Sequence, residues 1–389
     1  MTAQPVAAPA ATARAATWAP PDLRRWLQLG LAALWVLDGV LQYQSFMFTK
    51  AFGQMLAGSA DGNPAFVADS VRWAAGIIER SPATTNAAFA TIQLALGLGI
   101  AWRPAVRVAL AGSVAWSAAV WWFGEGLGGV LNGSASPVNG APGAVILYAL
   151  LAVLLWPAGA PRRSRPARDG AAPPRSDGLV PDAALGSDGL GPDAAVSLGS
   201  DGLVPDAAAA TGAGGFVAAR PLGAAAARGL WVVLWGSLAY FSVTAASRTA
   251  QGLHDMIAGM ADGEPGWLAA VDRGAAGAVA HHGLPASIAL AAILAAIAAG
   301  IFLPAPGVRV TVALAVAVSL VIWLVGQDLG EVLAGNATDV NSGPLLALIA
   351  LAYWPLRTRP APPPRRRRSA QPTTAFVPAG AEGGAGEAS

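Results

Sequence analysis

Cysteine is absent from all 389 residues. Disulfides, thiolate-held iron–sulfur clusters, cysteine-type structural zinc and thiol redox chemistry are thereby excluded. Lysine occurs once, at Lys50, and histidine three times, at His254, His281 and His282. Charge as a whole is scarce: Asp, Glu, Lys and Arg make up 12% of the chain, where a soluble domain carries roughly 25%. A formal net charge of +2 is too small to gather nucleic acid. Hydrophobic residues, by contrast, reach 54%, with a mean hydropathy of +0.51. They are collected in long runs, which places the chain among all-α integral membrane proteins in contact with a lipid bilayer. The excess of Ala, Gly, Pro and Arg suits a high-GC bacterial genome, so the expected location is a bacterial inner membrane.

The chain repeats itself. Gly124 to Pro142 returns as Gly326 to Pro344, with 10 of 19 aligned positions identical and no gap. Val106-Arg107-Val108 and Trp121 have their partners Val308-Arg309-Val310 and Trp323 at the same offset. Met55 to Pro64 returns as Met256 to Pro265, followed by Arg72 and Arg273 in register. The sequence is a tandem duplication.

A bilayer core of about 30 Å needs roughly 20 apolar residues of helix. Four candidate spans fall in the first copy, near Trp26–Phe48, Thr84–Trp102, Val106–Phe123 and Ala141–Trp156. Four more fall in the second, near Leu230–Thr244, Pro285–Leu303, Val308–Val325 and Pro344–Trp354, the fifth being cut early by Ser242, Thr244 and Ser247. Arg24, Arg25, Arg103, Arg107 and Arg162 to Arg168 all fall on one side if every span crosses. Arg228, Arg309, Arg357, Arg359 and Arg365 to Arg368 do the same in the second copy. By the positive-inside rule that side is cytoplasmic, with both termini on it. Trp26, Trp102, Trp156 and Trp354 then mark inner ends, and Trp121, Trp122 and Trp323 outer ends. An even number of spans per copy makes the copies parallel repeats.

The expected organisation is a tail over 1–21, a four-helix repeat over 22–157, a linker over 158–228, a second four-helix repeat over 229–357 and a basic tail over 358–389. The tail 1–21 lacks the apolar core and cleavage site of a signal peptide. The linker repeats S-D-G-L-V-P-D-A at Ser176 and Ser200, with S-D-G-L-G-P-D-A at Ser187. Such a Pro/Gly/Ala/Asp-rich segment buries too little apolar surface to order itself.

Candidate functional residues are few. Asp38 follows Arg25 by thirteen residues, roughly 20 Å along a helix, so it sits deep in the first span. An acid there costs about 2.5–3.5 kcal/mol on insertion scales and must face protein or water. Gln42 shares its helix face, and Gln93 on the second span lies at a similar depth; Leu238 is the counterpart of Asp38 in the second copy. On the outer face stand Glu125 in one copy and Gln327, Asp328 and Glu331 in the other, in loops whose recurrent glycines imply tight turns or close packing. Val138-Asn139 and Val340-Asn341 suit Asn as an N-cap of the fourth span of each copy. Phe66, Val67, Val71 and Ile77 with Trp73 suggest a short amphipathic helix lying on or tucked into the outer surface. His254, Asp255, His281 and His282 are the weak metal candidates, imidazole and carboxylate suiting zinc, copper or iron; their spacing matches no helical metal motif, and the first copy has Gly53, Arg80 and Ser81 instead.

Trp35-Val-Leu-Asp38-Gly39-Val-Leu-Gln42 and Gln93-Leu-Ala-Leu-Gly97-Leu-Gly99 make each half resemble a DoxX-type unit, a compact four-helix membrane module. That resemblance implies quinol oxidase or thiosulfate–quinone chemistry, with quinone as the cofactor and a membrane redox complex as the setting. Three functions stay open at this point: a quinone-linked accessory component, a small-solute or proton-coupled transporter, and a scaffold without catalysis. Haem is disfavoured, because no histidine falls within a span to serve as its axial ligand.

Overall fold

The structure, a computed structural model, describes residues 22–157, 215–244 and 249–356. The expected tails, the linker as far as residue 214, and the arginines and Ser247 read within those stretches lie outside them. Among the described residues the fold is helical and contains no strand. The helices are α1 (Leu23–Leu41), α2 (Lys50–Gly58), α3 (Ala65–Arg80), α4 (Pro82–Ala101), α5 (Val106–Phe123), α6 (Ala144–Leu154), α7 (Ala219–Leu222), α8 (Ala224–Phe241), α9 (Gly252–Met260), α10 (Gly266–Val279), α11 (Gly283–Gly300), α12 (Ala305–Val325) and α13 (Ser342–Ala352).

Five of these, α4, α5, α8, α11 and α12, are long and apolar enough to cross a membrane. They are apolar on the outside as well as the inside: Val108 and Val310 are 77% and 69% exposed. A soluble helix would turn such a face inward, so these surfaces are compatible with lipid. The first expected span ran to Phe48 but α1 stops at Leu41, and Ser45–Phe48 forms a separate 3-10 turn. Just past that end, the Gln42 and Gln44 side chains donate to Thr338 O and Ala337 O. The expected span starting at Leu230 begins earlier, at Ala224. Phe216, Val217 and Ala218, in the stretch read as linker, are buried in the core beside α13.

The last span of each copy departs most from expectation. Helices α6 and α13 have eleven residues each, or about 17 Å of rise. Their nearly uniform burial fits helices enclosed by others. Helix α1 packs on α4 and α5 on α6; α8 packs on α11 and α12 on α13; α6 and α1 then meet α13 to join the two sets. One core runs through all of them, centred on Trp35, Tyr148, Trp231, Trp235 and Tyr353.

One end of the bundle is basic. Arg25 donates to Ile100 O at 3.0 Å and to Ala101 O, the unsatisfied carbonyls at the C-terminus of α4. Gln28 Nε2 donates to Leu155 O at the end of α6, and Arg220 pairs with Asp22 at 2.8 Å. The starts of α1 and α7 therefore share an end with the finishes of α4, α6 and α13. The Gly-rich loops gather at the other end with α2, α3, α9 and α10. Helix α3 is amphipathic, but its buried stripe is Val67, Ala68, Val71, Ala75 and Ile78. Phe66 and Trp73 point outward at 61% exposure, set against Trp122 and Phe123.

Candidate functional site

The site is built from the two loops that follow α5 and α12. Each is pinned by a tryptophan from the preceding helix: Trp121 Nε1 donates to Pro142 O at 2.7 Å, and Trp323 Nε1 to Val340 O at 2.8 Å. Gly128 and Gly330 face those same carbonyls so closely that a Cβ on either would run into backbone, and both have positive φ. That is the physical content of the recurrent glycines. Gly330→Ala is therefore expected to lower stability by roughly 2 kcal/mol, read as a fall in melting temperature. A loss under 0.5 kcal/mol would show that the loop yields freely.

The acceptors differ because the copies slip out of register here. Sequence identity runs at an offset of 202 through Asn139 and Asn341, yet α6 and α13 start 198 residues apart. Asn341 does cap α13, its side chain accepting from Ser342 N at 2.7 Å. Contrary to the expectation from sequence, Asn139 does not cap α6; it closes a capping box with Ser136 around the 3-10 turn Pro137–Asn139, and Gly140 to Gly143 intervene before the helix. Glu125 takes over the task, its Oε1 accepting from Val145 N at 3.1 Å. Gln327 does the same for α13 through Gly343 N at 3.1 Å, while its Nε2 donates to Pro137 O and Ser342 Oγ. Glu125 and Gln327 are thus equivalent struts, one carrying charge and the other none.

Between the loops lies a cavity of about 340 Å³. Glu125, Glu331 and Asp339 supply its acids, and asparagines and hydroxyls most of its other polar wall. Both halves contribute. Glu125 Oε2 is buried without a donor. Burial, then the nearby Asp339 carboxylate, raise the Glu125 carboxyl to about 8, against the pull of the Val145 and Ala144 N–H groups. Burial also raises Asp339, which accepts from Thr338 Oγ1 and Asn341 N. Burial and Asp339 raise Glu331.

One layer inward, Asp38 is 1% exposed and takes the hydroxyl hydrogen of Tyr148 on Oδ2, while Oδ1 is buried without a donor. Asp339 lies within electrostatic reach of it. The partner of Asp38 is therefore Tyr148 on α6, not Gln42 or Gln93. Gln42 ties α1 to the second loop at Thr338 O, and the Oε1 of Gln93 is buried without a donor on α4.

Asp328 belongs to a second group. It and Asp272 on α10 are both fully buried, and their carboxyl groups face each other within hydrogen-bonding reach. No N–H or O–H donor among the described residues reaches any of the four oxygens. Burial, then the facing Asp272 carboxyl, Glu264 and Glu331, raise Asp328 to about 8. The backbone adds to the anomaly. Gly126 and Gly129 take positive φ in the first loop; the matching residues are Asp328 at 46° and Glu331 at 55°. A left-handed non-glycine costs roughly 1–2 kcal/mol.

The histidines do not join these groups. His254 pairs with its neighbour Asp255 at 2.9 Å, and His281 with Gln251 at 3.1 Å, while His282 precedes α11. Among the described residues no three His, Asp or Glu side chains converge as a metal ion would require.

Sequence reasoning found Asp38, Glu125, Gln327, Asp328 and Glu331 but missed Tyr148, Asp339 and Asp272. The usable signal was the difference between copies: Asp339 stands opposite Pro137, and Asp272 opposite the buried Val71. Comparison with protein-family models, curated proteins and solved structures finds no match for this chain.

Proposed function

We propose that the chain is an eight-span membrane protein of two parallel four-helix units and that it binds, and moves in exchange for protons, a small polar solute at the cavity between them. The observation that carries this reading is the convergence of acids from both halves, Glu125 and Asp339 with Asp38 beneath, on one cavity. Taking the basic end as cytoplasmic, the cavity lies toward the outer face, where Trp121 and Glu125 at the end of α5 hold the start of α6 and Trp323 and Gln327 at the end of α12 hold the start of α13.

The cysteine-free chain makes the topology directly testable. Ser134→Cys and Asn336→Cys are expected to react with an impermeant maleimide in intact cells, and Arg103→Cys only after permeabilisation. Labelling of all three alike contradicts the arrangement. For the site, a solute that raises the melting temperature of purified protein is expected to lose that effect in Asp339→Asn; an unchanged shift places the solute elsewhere.

A quinone-linked role has one observation in its favour. An apolar groove of about 680 Å³ between α6 and α8 reaches Pro142, one residue from the polar cavity wall at Gly143. A quinone headgroup and tail would fit that succession. Co-purifying quinone lost on widening Val233→Trp in the groove supports it; a quinone-free preparation from quinone-replete membranes does not.

A further inference from the structure

Resting on that solute-site reading, we infer that the cavity takes a small organic cation, an ammonium or guanidinium compound, in exchange for a proton held on Glu125. The wall contains Glu125, Glu331 and Asp339 and no Arg, Lys or His. Its other polar groups are asparagine amides and Ser or Thr hydroxyls, which adapt to a donor as readily as to an acceptor. An anion would meet only repulsion here. A neutral solute would bring no charge to displace the proton on Glu125. A cation with several N–H donors answers both needs.

Size and spacing select an organic cation over a metal ion. A cavity of about 340 Å³ lies near the small end of the usual range for molecular ligands, about 300–1,000 Å³, and far exceeds a bare ion. The acids are spread around it, and no three converge to ligand distance among the described residues. Separated charges suit a solute with separated N–H groups. Glu125 offers the clearest vacancy: Oε1 is used by Val145 N, while Oε2 is buried and has no donor.

The exchange follows from what faces Glu125. Asp339 approaches from the second half, the Tyr148 hydroxyl from α6, and the Ala144 and Val145 N–H groups from the start of that helix; Glu331 shares the cavity. With the carboxyl raised to about 8, the empty site holds a proton at pH 7. An arriving cation favours the carboxylate and expels that proton, so one proton leaves as each cation enters. Apparent affinity should then rise with pH, by up to about tenfold per unit while one proton is released, and level off above pH 8.

The test is titration calorimetry of purified full-length protein with putrescine, agmatine and the neutral isostere 1,4-butanediol, in two buffers of different ionisation enthalpy. Putrescine or agmatine is expected to bind with release of close to one proton at pH 7, and butanediol at least tenfold more weakly. Glu125→Gln keeps the strut that Gln327 already provides in the other copy, so it should fold, release no proton and bind the cation at least tenfold more weakly. Equal binding of butanediol, or cation binding without proton release, overturns the inference and leaves a solute site standing. Failure of both cations while a neutral solute still raises the melting temperature does the same. Absence of stabilisation by any solute overturns the reading beneath it.

Discussion

Tyr148→Phe is expected to destabilise the protein by roughly 3 kcal/mol, and adding Asp38→Leu is expected to recover most of that loss. The ring stays, so the contact with Trp35 at 4.2 Å between centroids survives the first change. What is lost is the hydroxyl that satisfies Asp38 Oδ2. An acid 1% exposed, with its other oxygen already lacking a donor, has no route to water. Removing the acid as well leaves two apolar side chains where the second half already has them. Trp35 and Trp235 align α1 with α8, which sets Leu238 opposite Asp38, and the α6–α13 register sets Leu346 opposite Tyr148; both leucines are 1% exposed. The fold therefore accepts an apolar pair at this place. The double variant should unfold near wild type in a denaturant titration and yet be inactive. Additive losses in the two single variants would mean that the pair is not coupled.

The second large effect is on alkaline stability. Asp328 ionises at about 8 in the folded chain and near 3.9 when unfolded. A carboxyl raised in the folded state favours folding only while protonated, so stability is fully present at low pH and falls as pH rises from about 4 through 8. Once ionised, Asp328 holds a buried charge facing the Asp272 carboxyl group. Asp328→Asn replaces that charge by an amide–carboxyl hydrogen bond, and Asn tolerates positive φ better than most residues. Asp328→Gly restores the residue that Gly126 supplies in the first loop. Both are expected to raise the melting temperature by several degrees at pH 9 and by little at pH 5. A wild-type melting temperature that is flat from pH 5 to 9 contradicts a raised, buried Asp328 carboxyl.

Glu125 has the same sign of linkage, with its fall in stability also ending near pH 8. Glu125→Gln should flatten that part of the profile independently of Asp328. The two sites differ in what they offer a ligand. Glu125 opens onto a cavity, whereas Asp272 and Asp328 are sealed at 0% exposure.

The long apolar helices were plain in the sequence because composition alone defines them: α5 spans Val106–Phe123, as expected, and α4, α11 and α12 differ from expectation by a few residues. The short ones were not. The apolar run Ala141–Trp156 holds only the eleven-residue α6, because Pro142 and Gly143 belong to a loop whose path is set by Trp121 and Glu125. No local pattern encodes that. Asp38 was legible as a lone acid in an apolar stretch, and Glu125 as an acid in a repeated loop. Tyr148 read as one more residue of an apolar run, and Asp339 carried no signal of its own beside the Val340-Asn341 cap. Asp272 lay on a helix taken as surface, although its counterpart Val71 is fully buried. A buried acid in place of a valine is visible only once both copies are laid against the fold.

The most direct test of proton-coupled solute exchange at the shared cavity is pH measured inside proteoliposomes carrying the full chain, after an outward-to-inward gradient of putrescine is imposed. The expected result is lumenal acid leaving as solute enters, seen as a rise in internal pH that Asp38→Asn and Glu125→Gln both abolish. A wild-type trace that matches protein-free liposomes, or one that both variants leave unchanged, contradicts the account.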